Sequence, residues 1–245
     1  MALGRKIRVL CLHGWRTNEK ILRHQTQGLR DALGERAEFL FLNAPFVATG
    51  PAQEIIQALY AHEAPFYEWW NAIKIEPEDP SRTHKAHSYR YERVDETLEF
   101  MAARLRELGP VDVLLGFSQG AGLVSILTAY WKAQHRVRPW KACVLVSGFR
   151  PRANEVKDLF EDSDGNRLHL DVPSIHIMGK ADAIFAQCQD LYDTYEGEDD
   201  GVLRFKFEHE EGHKFPSPHR HQELYRDAAQ ALERIISEPS GVGFA

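Results

Sequence analysis

Cysteine is scarce in this chain: Cys11, Cys143 and Cys188 are all it has. An odd number of thiols, each set in an apolar stretch that reads as strand or helix, excludes a disulfide framework. Buried, reduced thiols and a cytoplasmic protein are expected instead. Long hydrophobic runs are missing as well. No stretch approaches the ~20 apolar residues of a membrane span. Arg5, Lys6 and Arg8 lead straight into a short strand, without the apolar core of a signal peptide. Charge of one sign is not in large excess: 30 Lys and Arg against 36 Asp and Glu leave a net −6 with no basic cluster. That excludes nucleic acid as a main partner. No internal repeat or low-complexity linker divides the 245 residues, so one domain is expected over 1–245, ending in a flexible tail at 239–245.

What the chain does have is one strongly marked stretch, Val111-Asp-Val-Leu-Leu-Gly-Phe-Ser-Gln-Gly-Ala-Gly-Leu-Val124. A short apolar run rich in β-branched residues reads as a buried strand. Gly116-Phe117-Ser118-Gln119-Gly120 follows, and then a long helical run. This is G-x-S-x-G in the setting its chemistry requires, strand then sharp turn then helix. The serine of such an elbow sits on strained backbone, so its neighbours must be small. Gly116, Gly120 and Ala121 meet that demand. The helix that follows aims its first N–H groups at the serine, where negative charge develops during acyl transfer.

Around this stretch the elements alternate. Residues 7–12 read as a strand, 21–33 as a helix and 37–43 as a strand, which makes a βαβ unit and hence a parallel sheet. Residues 46–91 break the rhythm with Pro51, Pro65, Pro77 and Pro80 and the aromatic cluster Phe66-Tyr67-Glu68-Trp69-Trp70. They read as an excursion over the sheet edge, partly irregular. A helix is expected over 92–108 and another from the elbow to 134, with strands at 141–146, 174–178 and 203–207. Residues 150–173 read as loop; Asp162-Ser-Asp-Gly165 imitates the start of a calcium loop but lacks a Glu at the twelfth position. Helices over 183–195 and 221–237 complete the pattern. The fold class is α/β, with a mostly parallel sheet of about six strands and helices on both faces.

A serine nucleophile needs a histidine base and an acid to orient it. Both belong at the carboxyl ends of later strands, where ligands of parallel sheets gather. Strand 174–178 ends in Gly179-Lys180-Ala181-Asp182, which places Asp182 at that edge, just before a helix that it could instead merely cap. Strand 203–207 leads into Glu208-His209-Glu210-Glu211-Gly212-His213, with Pro216 soon after, so His213 sits on a loop. The order Ser118, Asp182, His213 is that of α/β-hydrolases.

Leu10-Cys-Leu-His-Gly14, Gly116-Phe-Ser-Gln-Gly-Ala121, Val146-Ser-Gly-Phe149, Gly179-x-x-Asp182 and Gly212-His213 with Pro216 occur in this order along nearly the whole chain. In combination they resemble the FSH group, the "family of serine hydrolases". The resemblance implies a compact α/β-hydrolase core, esterase or thioesterase activity on a small-molecule substrate, and Ser118, Asp182 and His213 as the catalytic residues. No cofactor is expected. The oxyanion hole needs two backbone donors. The N–H of Gln119 is one, and the loop His13-Gly14-Trp15 supplies the other, assigned to the N–H of Trp15.

Two other functions compete. His209-Glu-Glu-Gly-His213 matches H-E-x-x-H of zinc peptidases. That chemistry requires a helix, which the preceding strand pattern, Gly212 and Pro216 all oppose, so no metal and no stoichiometric zinc are expected. His84, His87, His219 and His221 read as solvated surface histidines. The second competitor is a binding protein on a hydrolase fold, since folds outlive their chemistry. Of the aromatics Phe66, Tyr67, Trp69 and Trp70, the sequence allows two readings: an acyl pocket beside Ser118, or glue between excursion and core.

Overall fold

The computed structural model describes residues 5–75, 88–134 and 137–238. Its centre is a six-stranded sheet. Strands β1 (Ile7–Leu12) and β2 (Ala37–Leu42) enter first. Two short strands, β3 (Phe46–Val47) and β4 (Tyr67–Glu68), pair antiparallel in the excursion, and β5 (Asn71–Ile75) pairs antiparallel with β6 (Ser88–Glu92). The main sheet resumes with β7 (Val113–Phe117), β8 (Ala142–Val146), β9 (Ser174–Gly179) and β10 (Arg204–His209). The order is β2-β1-β7-β8-β9-β10, and every neighbouring pair is parallel.

The sheet is central because its strands are apolar on both faces. Leu10, Leu12, Leu114, Cys143 and Leu145 point into one cluster, with buried residues of α4 (Val94–Leu108) and α5 (Gln119–Ala133). Val9, Cys11, Val113, Leu115, Val144 and Val146 point into the other, with α2 (Gln27–Leu33) and α7 (Gln222–Ser237). Alternation along each strand thus serves two helical layers, as period-2 side chains require. All three cysteines are buried and free.

Several boundaries differ from the sequence pattern, each for a local reason. The single helix read over 21–33 is two, α1 (Glu19–Gln25) and α2, parted at Thr26. There the Thr26 backbone leaves helical geometry at ψ 3°, and its hydroxyl shares the Leu22 carbonyl with its own N–H, both at 2.9 Å. Helix α4 starts at Val94 because Glu92 closes β6 and Arg93 is left-handed at φ 69°. Residues 150–173, read as loop, contain a 3-10 turn at Asn154–Leu159. The helix read over 183–195 is shorter, α6 (Phe185–Tyr192). The excursion also holds α3 (Glu54–Tyr60). Among the described residues no helix is long and apolar enough to cross a membrane.

Strand order reverses direction at β1: the chain steps out to β2, then returns to lay β7 on the other side. A crevice opens at the carboxyl ends where such a reversal occurs. The loops after β1 and β7 face each other across it.

Candidate active site

Each expected residue follows the carboxyl end of a strand. Ser118 follows β7 directly, with φ 51° and ψ −114°, a conformation that L-residues rarely adopt. It is tolerated because its surroundings are emptied of side chains. A Cβ on Gly120 would lie 2.1 Å from the Leu12 carbonyl oxygen, so only glycine lets α5 start against the end of β1. Gln119 opens α5, and its N–H belongs to the unsatisfied first turn of that helix.

Asp182 follows β9 and His213 follows β10. The two loops close on one another at Gly179, where a Cβ would sit 2.2 Å from the Glu211 carbonyl oxygen. Lys180 N–H donates to the His209 carbonyl at 2.7 Å, and Ala181 N–H to that of Glu211 at 3.2 Å. The outcome is one hydrogen-bonded line. His213 Nε2 lies 2.9 Å from Ser118 Oγ, and His213 Nδ1 lies 2.7 Å from Asp182 Oδ2. The Asp182 side chain is almost wholly buried, whereas a quarter of the His213 side chain is exposed. Through its other oxygen Asp182 accepts from Ile184 N–H at 2.9 Å, a turn just ahead of α6, whose N-cap position is Ile184. Phe117 lies 5.2 Å from the His213 ring and 5.3 Å from that of Phe215, in tilted aromatic contacts on one side of the imidazole.

The loop after β1 carries Trp15, which lines the same cavity as Ser118, Gln119 and His213. This cavity measures about 950 Å³. One wall is apolar and comes from α3, through Ile55, Ile56, Leu59 and Tyr60; another comes from Trp70 and Phe149.

His13 is wholly buried and both its ring nitrogens are engaged. Nε2 accepts from Ala44 N–H at 3.0 Å, so Nδ1 carries the proton and donates to the Gly14 carbonyl at 2.8 Å. Burial lowers its pKa to about 4, against the smaller opposing pull of that carbonyl, and the ring stays neutral. It anchors the loop and has no nitrogen left to act as a base.

The aromatic cluster divides. Phe66 packs beside Ile21, Ala52 and Ile56, and Tyr67 against the main core. Trp69 is fully buried, donating from Nε1 to the His13 carbonyl at 2.8 Å. Trp70 lines the cavity and lies 4.9 Å from the Tyr91 ring. Sequence reasoning missed how the excursion grips the elbow. The Gln119 side chain accepts from Trp69 N–H at 3.1 Å and donates to the Trp70 carbonyl at 2.8 Å.

It also missed Glu68, which is buried and has several donors around it. Its Oε2 accepts from Trp15 Nε1 and from Arg16 Nε, both at 3.1 Å; its Oε1 accepts from the Thr49 hydroxyl at 2.9 Å. The available signal was a carboxylate set inside four large aromatics, which must either face water or find partners.

The stretch His209-Glu-Glu-Gly-His213 is not helical: His209 ends β10 and residues 210–213 are irregular. His213 faces Ser118 and Asp182 instead of sharing a helix face with His209. His219 is exposed as expected. His221 is not, for only a fifth of its side chain is exposed and its ring lies 5.6 Å from that of His209. The fold returns the start of α7 to the end of β10, which the spacing alone does not show. His84 and His87, like the tail at 239–245, lie outside the described residues.

The chain is similar to proteins of known class. It is 32% identical over 194 residues to the esterase OVCA2 of Homo sapiens, covering 75% of this chain and 80% of that protein. To the esterase OVCA2 of Danio rerio it is 28% identical over 232 residues, covering 90% and 95%. Among solved structures, that of esterase PE8 superimposes with a TM-score of 0.58 at 22% identity, covering 94% of this chain and 93% of that one, a likeness of fold. The fold is that of the α/β-hydrolases. The sequence profile described as serine hydrolase (FSH1) matches residues 1–225, and the chain belongs to that family.

Proposed function

We propose that the protein is a serine esterase or thioesterase that cleaves small-molecule carboxylic esters or thioesters through an acyl-enzyme on Ser118. The observation that carries this reading is the line Ser118 Oγ, His213 Nε2, His213 Nδ1, Asp182 Oδ2, with steps of 2.9 and 2.7 Å, opening on the apolar cavity. Ser118 Oγ attacks the carbonyl carbon while His213 Nε2 takes its proton. Asp182 keeps the proton of the neutral ring on Nδ1 and stabilises the imidazolium that forms. The N–H groups of Gln119 and Trp15 receive the developing oxyanion. His213 then returns its proton to the leaving alcohol or thiol. Water, activated by the same nitrogen, releases the acid. The step needs no cofactor or metal. The three free, buried cysteines support a cytoplasmic setting.

A fluorophosphonate probe tests the reading, because it labels only an activated serine. We expect stoichiometric labelling of Ser118, lost in Ser118→Ala together with about 10³-fold or more in kcat at unchanged Tm. A chelator leaves turnover unchanged. Folded protein that resists the probe and hydrolyses no ester or thioester in a panel of graded chain lengths is a binding protein instead. Turnover that survives Ser118→Ala and disappears with chelator points to the metallopeptidase.

A further inference from the structure

The loop between β10 and α7 brings together three groups that the serine chemistry does not use: His209, Glu211 and His221. One ligand atom from each lies within 4.8 Å of the other two. His209 is 2% exposed, and its Nε2 is buried without a hydrogen-bond partner. A buried ring nitrogen left unpaired is costly, and the cost is removed if something binds it. The other nitrogen, Nδ1, receives only a long contact of 3.3 Å from Glu211 N–H. The His221 ring stands 5.6 Å from that of His209, with its Nε2 3.9 Å from Glu211 Oε1.

We propose that His209, Glu211 and His221 form a binding site for one zinc ion, separate from Ser118, Asp182 and His213. Two imidazoles and one carboxylate form a His₂Glu donor set suited to zinc, with a fourth position left for water. Zinc bonds of 2.0–2.1 Å in a tetrahedron place neighbouring ligand atoms about 3.3 Å apart, so the trio, now within 4.8 Å, closes by up to about 1.5 Å to accept the ion. His209 coordinates through Nε2, and its proton moves to Nδ1 at the loss of the long Glu211 contact.

The competing cations do not close the site. Lys214 Nζ holds Glu211 Oε2 at 3.1 Å, while Oε1 accepts from the Ser217 hydroxyl at 2.7 Å and keeps its second lone pair for the metal. Arg220 approaches Oε1 only to 3.8 Å, and 79% of its side chain is exposed, so it swings into water. Ser217 keeps Glu211 in place by donating its N–H to Oε2 at 3.0 Å. Zinc here fastens the end of β10 to the start of α7, across the loop that carries His213. The site does not depend on Ser118 being the nucleophile.

The test titrates zinc salt alone into full-length protein freed of metal, by calorimetry and by elemental analysis after desalting. We expect one zinc per chain and a raised Tm. In His221→Asn, whose side chain lies near the surface, affinity falls by at least about tenfold, and Glu211→Gln weakens it likewise. His213→Ala still binds one zinc. Wild-type protein that binds no zinc overturns the proposal. So does binding that survives in both His221→Asn and Glu211→Gln, or binding lost in His213→Ala, which places the ion on the serine site instead.

Discussion

Gln119 and Glu68 show how single side chains transmit the fold to the elbow. Neither touches Ser118 in the hydrogen-bonded line, yet each fixes a backbone N–H proposed to meet the oxyanion. Gln119 does so by bridging the main chain of Trp69 and Trp70. Glu68 holds both the Trp15 ring and Arg16, whose backbone is left-handed at φ 53°. A carboxylate 1% exposed beside a guanidinium 14% exposed is a buried ion pair, and breaking one typically costs about 3–5 kcal/mol. Glu68→Gln must also turn an amide NH₂ toward groups that themselves donate. We expect it to lower Tm and, because the loop carrying Trp15 loosens, to lower kcat with little change in KM. Reduced Tm with unchanged kcat in the folded variant would show that this loop supplies no oxyanion donor.

Among elements, the excursion between β2 and α4 has two distinct faces. Its inner face, with Trp69, is structural. Its outer helix α3 lines the cavity with Ile55 and Leu59, which remain 59% and 57% exposed. Trp69→Ala therefore costs stability, about 3–5 kcal/mol for a buried tryptophan, and lowers activity equally for every acyl chain. Leu59→Ser leaves Tm in place and lowers kcat/KM selectively for long apolar chains, by roughly 1 kcal/mol per lost methylene contact. Chain-length profiles with parallel melts for both variants decide; a selective effect from Trp69→Ala with none from Leu59→Ser would reverse these roles. The same division marks what the sequence discloses. Strands β1, β7 and β8 announce themselves through continuous apolar runs, and the elbow through glycines that no other residue can replace. Asp182 and His213 are legible because strand ends in a parallel sheet lie on one edge. The approach of His221 to His209 and the reach of Gln119 into the excursion are set by tertiary packing, and a local pattern carries no record of them.

For the molecule as a whole, two buried histidines couple the fold to pH. His13 holds the β1 loop, and His176 lies in β9 against Tyr192 and Tyr195, at 5.2 and 5.0 Å. Burial lowers His13 to about 4 and His176 to about 3, the latter with help from the charge of Arg204. In the unfolded chain both titrate near 6.5. As pH falls below that value the unfolded chain takes up protons that the folded chain refuses. Stability is therefore fully present above about 6.5 and is lost progressively down to about 4 for His13 and about 3 for His176. Each group contributes about 2 kcal/mol of this loss between pH 7 and pH 5, above the range where most carboxylates titrate. Denaturant melts at the two pH values measure it directly. His176→Gln should be less stable at neutral pH, because the ring's packing is lost, yet its stability should fall by about 2 kcal/mol less than wild type on going to pH 5. An equal fall in both proteins would mean that His176 is protonated in the folded state, and that its burial between the two tyrosines does not govern the acid limb.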